Sequence, residues 1–457
     1  MNRLVVVSNR VALPGESRAG GLAVGLEAAL RAHGGVWFGW SGKVVREASG
    51  RLHEQTDGDV RYVTMDLNRP DHDAYYNGFA NRTLWPLLHS RLDLVDYARE
   101  TRAGYRRVNL LFAEKLAPLL RDDDLLWIHD YHLIPLAAML RERGVGCRIG
   151  FFLHVPMPSA DLVSALPEHG RLFSTLYAYD LVGFQTMRDA DRFRTYARIF
   201  GGGSIEPDGS VTLPGGKRVD VGNFPIGIDA GRIAAQSAAA VGKPAVRALR
   251  ESMSGRQLAI GVDRLDYSKG LPERFRAFGR YLERHPDERG RLTFLQIAPV
   301  SRGDVAEYRH LRDQLEGIAG HINGTHAEPD WTPLRYVNRN FGHATLTGFY
   351  RLASLALVTP LRDGMNLVAK EYVAAQNPEN PGVLVLSMLA GAAAELDAAL
   401  LVNPYDLDGV ADAISRAASM PLPERRERWE SMMRPITEFD IHAWCARFLE
   451  RLARTTG

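Results

Sequence analysis

Short apolar runs alternate along the chain with segments whose apolar residues recur at helical spacing. The runs that predict buried strands are 4–8, 36–40, 125–129, 149–154, 181–185, 258–262, 293–298, 355–359 and 383–387. Amphipathic helices are predicted between many of them, such as 22–32, 132–143, 272–284 and 367–376. Near-continuous apolar strands are typical of parallel sheets that are covered on both faces. The alternation therefore predicts an α/β fold with open parallel sheets.

The pattern is interrupted once, near the middle of the chain. Residues 201–217 are rich in Gly, Ser and Pro and predict an irregular hairpin or loop, and the alternation restarts at Leu258 after an Ala-rich stretch. This indicates two doubly wound, Rossmann-like domains facing across a cleft, residues 1–239 and 240–438. The amphipathic segment 439–457 packs on one of them, and we expect the N-terminal domain. Ligands of such sheets bind at the carboxyl ends of strands, so residues directly after each strand are site candidates.

Composition narrows the functional class. The chain has 457 residues, with 56 Lys and Arg against 54 Asp and Glu, which argues against a general nucleic-acid binder. Its two cysteines, Cys147 and Cys445, exclude a disulfide-rich secreted fold. The longest uncharged stretch, 381–394, is too short for a membrane span. We therefore expect a cytoplasmic protein with small-molecule partners and neither nucleic acid nor membrane.

Two cations follow the strand predicted at 258–262. Arg264 and Lys269 stand in the loop that leads to the next helix, where an anion would be met. Solvated loop charges would produce the same local pattern.

Another candidate segment follows the strand predicted at 355–359. The backbone N–H groups of residues 364–367 (Gly364, Met365, Asn366 and Leu367) would point out of a helix N-terminus and form an anion site. Glu371, further along that helix, could accept hydrogen bonds from a diol. A helix cap at Asp363 and a dipole-favoured charge at Glu371 are equally compatible with the sequence.

Other candidates also follow strands. His154 ends an apolar strand before two prolines and is either a ligand-binding or a structural histidine. Arg10, Asp130 and Arg302 follow three further strands, and Tyr76 and Trp85 are aromatic residues suited to a sugar face. Gly20 and Gly21 open the first long helix without the G-x-G-x-x-G dinucleotide fingerprint. His129 and His132 lack a third metal ligand at a recognised spacing, so no metal site is expected.

Taken together, these segments resemble the trehalose-6-phosphate synthase family of retaining glycosyltransferases with the two-Rossmann (GT-B) fold. The resemblance extends over nearly the whole chain. The segments that carry it are 7–10, 20–22, 37–42, 127–133, 150–154, 264–270, 301–304 and 359–371. Each segment alone is weak evidence for the family, but the presence of all of them in this order is specific to it.

The resemblance implies transfer of glucose from UDP-glucose to glucose 6-phosphate, giving α,α-trehalose 6-phosphate, without a metal or other cofactor. Family members are often dimers or tetramers, so a homo-oligomer and a role in osmotic protection are expected. The donor residues implied are Gly21, Arg264, Lys269, Gly364, Met365, Asn366, Leu367 and Glu371. His154 and Asp363 would bind the donor glucose, and catalysis would rest on Arg264, Lys269, His154 and Asp363. The acceptor pocket implied is Arg10, Tyr76, Trp85, Asp130 and Arg302.

The sequence leaves three alternative functions open. A related transferase could use ADP- or GDP-glucose as donor, or glycerol 3-phosphate as acceptor. A catalytically silent sensor could bind the sugar phosphate and regulate a partner. A dinucleotide-dependent oxidoreductase is disfavoured by the missing fingerprint.

Overall fold

Strands of almost purely apolar sequence lie at the centre of a parallel sheet in each half of the chain. The computed structural model describes residues 2–14, 21–47, 50–300 and 306–455, and of residues 21–24, 28 and 306 only the backbone. The chain divides into two compact units, Met1–Ile226 with Ile441–Gly457, and Gly227–Asp440. The sequence predicts domain boundaries at 239 and 438. The first of these positions lies inside the helix Ala230–Ala240.

The first unit contains a ten-stranded sheet among the described residues. Its strands are β1 Leu4–Arg10, β2 Gly35–Val45, β3 Leu52–Asp57, β4 Val60–Asn68, β5 Leu125–His129, β6 Arg148–Leu153, β7 Leu181–Phe184, β8 Ser204–Ile205, β9 Val211–Thr212 and β10 Arg218–Asn223. The spatial order is β3-β4-β2-β1-β5-β6-β7-β10-β9-β8. The seven central strands of this order, from β4 to β10, pair in parallel. At the two edges of the sheet, β3 pairs antiparallel with β4, and β9 pairs antiparallel with both β10 and β8. Of the two forms predicted for 201–217, a hairpin or a loop, the structure has the hairpin, formed by β8 and β9.

Helices cover this sheet. They are α1 Gly21–His33, α2 Arg69–His72, α3 Trp85–Leu88, α4 Arg99–Leu116, α5 Leu136–Arg141, α6 Ala160–Ser164, α7 His169–Phe173 and α8 Met187–Gly201. A twelve-residue π-helix, Asp73–Leu84, joins α2 to α3. The helix predicted at 132–143 is wrong in its first part, because Tyr131–Leu133 forms a 3₁₀ turn and α5 begins only at Leu136.

The second unit contains, in its described part, a six-stranded parallel sheet in the order β13-β12-β11-β14-β15-β16. The strands are β11 Gln257–Val262, β12 Leu292–Ile297, β13 Leu334–Val337, β14 Leu355–Val358, β15 Val383–Ser387 and β16 Leu400–Val402. Its helices are α9 Ala230–Ala240, α10 Pro244–Ser252, α11 Leu271–Arg284, α12 Ala306–His326, α13 His343–Leu352, α14 Leu367–Ala375, α15 Leu407–Ser419 and α16 Leu422–Glu438. The predicted α/β fold with two parallel Rossmann-like sheets is confirmed.

The last helix, α17 Ile441–Arg454, packs on the sheet of the first unit. The ring of Phe448 is fully buried and stacks on Trp127 of β5 with centroids 4.5 Å apart. A Cβ at Gly183 of β7 would lie 2.7 Å from that ring, so the strand needs a glycine where the helix crosses it. Arg451 adds a two-pronged ion pair with Asp220 at 2.6 and 2.7 Å. No helix among the described residues is long and apolar enough to cross a membrane.

Candidate functional site

In the second unit, the residues after β11 and β14 meet through an ion pair. Lys269 lies in the loop after β11, and its Nζ contacts the carboxylate of Asp363, which follows β14. Asp266 shapes the first loop by accepting a hydrogen bond from the backbone N–H of Ser268 at 3.0 Å. The Nδ2 of Asn366 donates to the same carboxylate oxygen of Asp363, Oδ2, at 3.1 Å. Two residues predicted from separate segments therefore lie side by side at one edge of the sheet.

A buried arginine underlies this pair. Arg274 of α11 is 1% exposed and donates to Asp263 at 2.7 Å, to Thr359 at 2.9 Å and to the backbone carbonyl of Lys269 at 3.2 Å. Burial raises the pKa of the Asp263 carboxyl, and the guanidinium of Arg274 opposes that shift. Arg274 thus joins the ends of β11 and β14 to the loop that presents Lys269.

The helix N-terminus beside Asp363 lacks a side-chain cap. Helix α14 begins at Leu367, and Asn366 before it has a left-handed conformation with φ 76° and no capping hydrogen bond. Asp363 is therefore not the cap of this helix. The N–H groups of the first helical turn have no partner within a helix, which gives this end an attraction for anions. Glu371 lies one turn further, with its Oε1 3.6 Å from Nε2 of His343.

The other predicted donor residues lie in loops and at the start of a helix. Arg264 is exposed directly after Asp263. Gly21 is the first residue of α1 in the first unit. The backbone of Gly364 and Met365 continues the loop from Asp363 to α14.

In the first unit, Arg10 is the last residue of β1, and its side chain lies next to Gly42. Gly42 has φ 86°, and a Cβ there would lie 2.7 Å from Nε of Arg10. The neighbouring Asn9 accepts a hydrogen bond from the hydroxyl of Tyr75 at 2.8 Å, which ties the end of β1 to the π-helix. Arg302, the other predicted phosphate ligand, lies outside the described residues.

The π-helix brings two predicted aromatic residues to the same edge as β5. The ring of Tyr76 stacks on His132 with centroids 5.7 Å apart and an angle of 14°. Trp85 begins α3 and lies 5.7 Å from the ring of Tyr131. Because Tyr131 and His132 directly follow β5, these contacts hold both aromatic residues beside the end of that strand. Extended π-helix is rare, and π-helical turns are frequently found at functional sites.

Asp130 and His154 follow adjacent strands and contact each other. Asp130 has φ 75°, and its carboxylate accepts a hydrogen bond from the backbone N–H of His154 at 3.2 Å. The His154 ring lies between Gln185, 3.3 Å from Nδ1, and His129, whose Nδ1 is 3.1 Å from Nε2. Gln185 accepts from the backbone N–H of Ile226 through Oε1, so its Nε2 donates to His154. The proton of a neutral His154 therefore belongs on Nε2.

Both histidines of this pair are held neutral. Burial lowers the pKa of His154 to about 3. Burial, reinforced by the neighbouring His154, lowers the pKa of His129 well below its usual value. His154 therefore acts near neutral pH as a hydrogen-bonding group without charge.

The structure assembles most of the predicted site at strand ends within each unit. Lys269, Asp363, Asn366 and Glu371 lie on the β11–β14 edge, and Arg10, Tyr76, Trp85, Asp130 and His154 lie on the β1–β5–β6 edge. Sequence reasoning gave no site role to Arg274, His129 or Gln185. Gln185 directly follows β7, but the strand predicted at 181–185 contains it, so the rule that residues after strands are candidates passed over it. Within the described ranges, no three His, Cys, Asp or Glu side chains are grouped as a metal ion would require.

Comparisons with known proteins agree on one family. Residues 5–454 match the model of glycosyltransferase family 20. The trehalose-6-phosphate synthase of Sinorhizobium fredii is 50% identical over 100% of this chain and 99% of its own length.

Two solved structures with ligands are similar over the full length. The UDP-forming α,α-trehalose-phosphate synthase of Burkholderia xenovorans in complex with glucose 6-phosphate is 48% identical, with a TM-score of 0.96 over 99% of this chain and 100% of that one. The E. coli trehalose-6-phosphate protein bound with UDP-2-fluoro glucose is also 48% identical, with a TM-score of 0.96 over 100% of both chains.

Proposed function

Because the chain belongs to glycosyltransferase family 20, we propose that it transfers glucose from UDP-glucose to glucose 6-phosphate. The products are α,α-trehalose 6-phosphate and UDP. The observation that carries the proposal is the Lys269–Asp363 pair beside the uncapped start of α14, in a chain 50% identical over its full length to a trehalose-6-phosphate synthase. A cation, a carboxylate and the backbone N–H groups at the start of a helix together suit a diphosphate joined to a sugar.

In the proposed donor site, Lys269 and Arg264 bind the diphosphate. The backbone N–H groups of residues 364–367 add hydrogen bonds to the same anion, because the helix dipole favours negative charge at this end. Gly21 allows close approach of the backbone to the diphosphate. Glu371 accepts hydrogen bonds from the ribose hydroxyls.

The donor glucose is bound by Asp363 and His154. Lys269 and Asn366 both contact Oδ2 of Asp363, so we assign Oδ1 to a sugar hydroxyl. His154 is held neutral by burial, with Nδ1 accepting from Gln185 and Nε2 facing His129, so a sugar hydroxyl that accepts from its Nε2–H takes the place of His129.

The proposed acceptor site uses the edge formed by β1 and β5. Arg10 and Arg302 bind the 6-phosphate, since guanidinium groups match phosphate oxygens in pairs. Tyr76 and Trp85 pack against the glucose ring, and Asp130 accepts a hydrogen bond from one of its hydroxyls.

The chemistry follows from these roles. The bond between C1 of glucose and the diphosphate oxygen breaks as the anomeric oxygen of glucose 6-phosphate bonds to C1 on the same face. The acceptor proton passes to an oxygen of the departing phosphate. Lys269, Arg264 and the helix N–H groups stabilise the charge that grows on UDP, and such preorganised groups contribute about 3–4 kcal/mol each to catalysis. No metal takes part in this scheme.

Product analysis tests the proposed function. Purified protein is incubated with UDP-glucose and glucose 6-phosphate, and the products are examined by ¹H NMR. We expect one phosphorylated, non-reducing disaccharide whose single linkage joins two α-configured anomeric carbons. Preference for ADP- or GDP-glucose changes the donor assignment alone, whereas preference for glycerol 3-phosphate rejects the acceptor assignment. Binding of both substrates without turnover favours a sensor.

Three further proposals remain, of which the oligomer and the physiological role rest on the family resemblance and the location on the composition of the chain. We expect a homo-oligomer, a dimer or a tetramer, located in the cytoplasm. The product would then serve osmotic protection.

A further inference from the structure

Residues 389–395, here named the bracing segment, run beside the loop 363–366 in the second unit. The backbone N–H of Asp363 donates to the carbonyl of Leu389 at 3.3 Å. In return, the N–H of Gly391 donates to the carbonyl of Asp363 at 3.2 Å, and the N–H of Ala392 donates to that of Met365 at 2.8 Å. The bracing segment therefore bonds the loop at both its start and its middle.

The loop needs such external support. Asn366 is held at φ 76° and ψ 84°, a conformation that side-chain-bearing residues rarely adopt, and its side chain does not cap α14. A residue of this kind keeps its conformation only when the surrounding structure enforces it. The three backbone hydrogen bonds with the bracing segment hold Asp363 and Met365, and they constrain Asn366 through these neighbours.

Gly391 is the point of closest contact between the two segments. A Cβ at this position would lie 1.8 Å from the carbonyl oxygen of Gly364 and 3.1 Å from Cα of Met365. Gly391 does not itself have a positive φ, so the requirement for glycine is one of space rather than of backbone conformation. The obstructing atoms belong to the backbone, so no side-chain rotation relieves the clash.

Both ends of the bracing segment are anchored in the fold. At its start, the N–H of Leu389 donates to the hydroxyl of Ser387 at 3.1 Å, at the end of β15. At its end, Glu395 pairs at 2.7 Å with Lys370, a fully buried residue of α14 that directly precedes Glu371. The segment is therefore fixed on the sheet and on α14 and cannot shift freely when the loop is pushed.

We propose that the bracing segment is a positioning element of the donor site and that Gly391 is its decisive residue. The inference rests on the proposed function, in which the loop 363–366 binds the diphosphate and the donor glucose. A methyl group at Gly391 displaces Gly364 and Met365 and tilts their N–H groups away from the diphosphate. Gly391 itself has no assigned contact with substrate and acts only through the loop.

The test is Gly391→Ala, with UDP binding measured by calorimetry and both KM values measured separately. A displacement of about 1 Å is expected to raise the Kd of UDP and the KM of UDP-glucose about 10- to 100-fold. The KM of glucose 6-phosphate should stay within about twofold of the unsubstituted protein. Gly317→Ala is the matched control, because nothing lies within 4 Å of a Cβ at that position in α12. That control should leave every constant unchanged.

The outcomes separate the two claims. A wild-type protein that binds no nucleotide sugar defeats the proposed function. A wild-type protein that binds UDP, together with a Gly391→Ala variant of equal affinity, overturns the inference alone. An equal rise in both KM values would also overturn it, because it indicates a general structural defect.

Hydrogen exchange on the wild-type protein gives a second test that needs no folded variant. UDP should slow amide exchange in residues 363–371 and in the bracing segment, residues 389–395, together. Protection of residues 363–371 without any change in the bracing segment contradicts a bracing role.

Discussion

Replacing Lys269 by methionine removes the cation beside Asp363 and keeps most of the side-chain volume. The two side chains are only 13% and 14% exposed, so their charges are poorly screened by water. Loss of one charged contact to the leaving diphosphate should raise the barrier by about 3–4 kcal/mol, a rate factor of about 10²–10³. Loss of the ion pair should lower stability by about 2 kcal/mol, since Asp363 keeps its bond from Asn366.

The assay measures kcat/KM for UDP-glucose at 25 °C, where both proteins remain folded, and urea unfolding separately. Lys217→Met is the matched control. Lys217 also pairs with an aspartate, Asp180 at 2.9 Å, and that carboxylate keeps Arg141 as a partner at 2.8 Å. The control should lose a Lys–Asp pair without losing activity.

Two results would refute this reasoning. A Lys269→Met protein with kcat/KM within about threefold of wild type shows that Lys269 does not stabilise the leaving group. An equal loss of activity in Lys217→Met shows that the effect belongs to any such pair and not to this site.

Three other predictions concern the first unit. Gly42→Ala should push the Arg10 guanidinium aside, because a Cβ would lie 2.7 Å from Nε; the KM of glucose 6-phosphate should rise about 10-fold with UDP affinity unchanged, and a shift in UDP affinity would count against it. Burial holds the pKa of His154 at about 3, below the unfolded value of about 6.5, so the unfolded chain binds the extra proton. Stability should therefore fall by up to about 1.4 kcal/mol per unit as the pH drops from 6.5 towards 3, and an equally steep urea-unfolding profile in His154→Gln would contradict this. Phe448→Ala should destabilise the unit by about 3–5 kcal/mol in urea unfolding, because the ring is fully buried against Trp127; a loss below about 1 kcal/mol would show that α17 is dispensable.

The central strands could be predicted from the sequence because they are apolar throughout. Strands β5 and β15 match their predicted bounds, since a strand covered on both faces leaves no polar position inside it. Strand β4, Val60–Asn68, was missed because Arg61, Thr64 and Asp66 interrupt its apolar pattern. The π-helix Asp73–Leu84 was not predicted either, because its turns close through contacts with β1 and β5 that local spacing does not report.

The site was predictable where a charged or aromatic residue directly follows a strand. Asp130 follows β5 directly, and Lys269 and Asp363 stand in the loops after β11 and β14. Arg274 could not be found this way, because a charged residue in an amphipathic helix usually faces solvent. Its guanidinium is buried because it bonds to Asp263 after β11 and to Thr359 after β14, and only the folded structure shows this. Gly391 could not be predicted from the sequence, because a glycine has no functional group. Its importance is steric, since a Cβ there would lie only 1.8 Å from the carbonyl oxygen of Gly364.

Release of UDP by the purified protein tests the central claim most directly. The protein is incubated with UDP-glucose in EDTA, with and without glucose 6-phosphate, and free UDP is measured over time. We predict release that depends on glucose 6-phosphate and is unchanged by EDTA, with one phosphorylated disaccharide formed per UDP. The absence of release with UDP-, ADP- or GDP-glucose, while glucose 6-phosphate still binds, would contradict the transferase and leave a sugar-phosphate sensor.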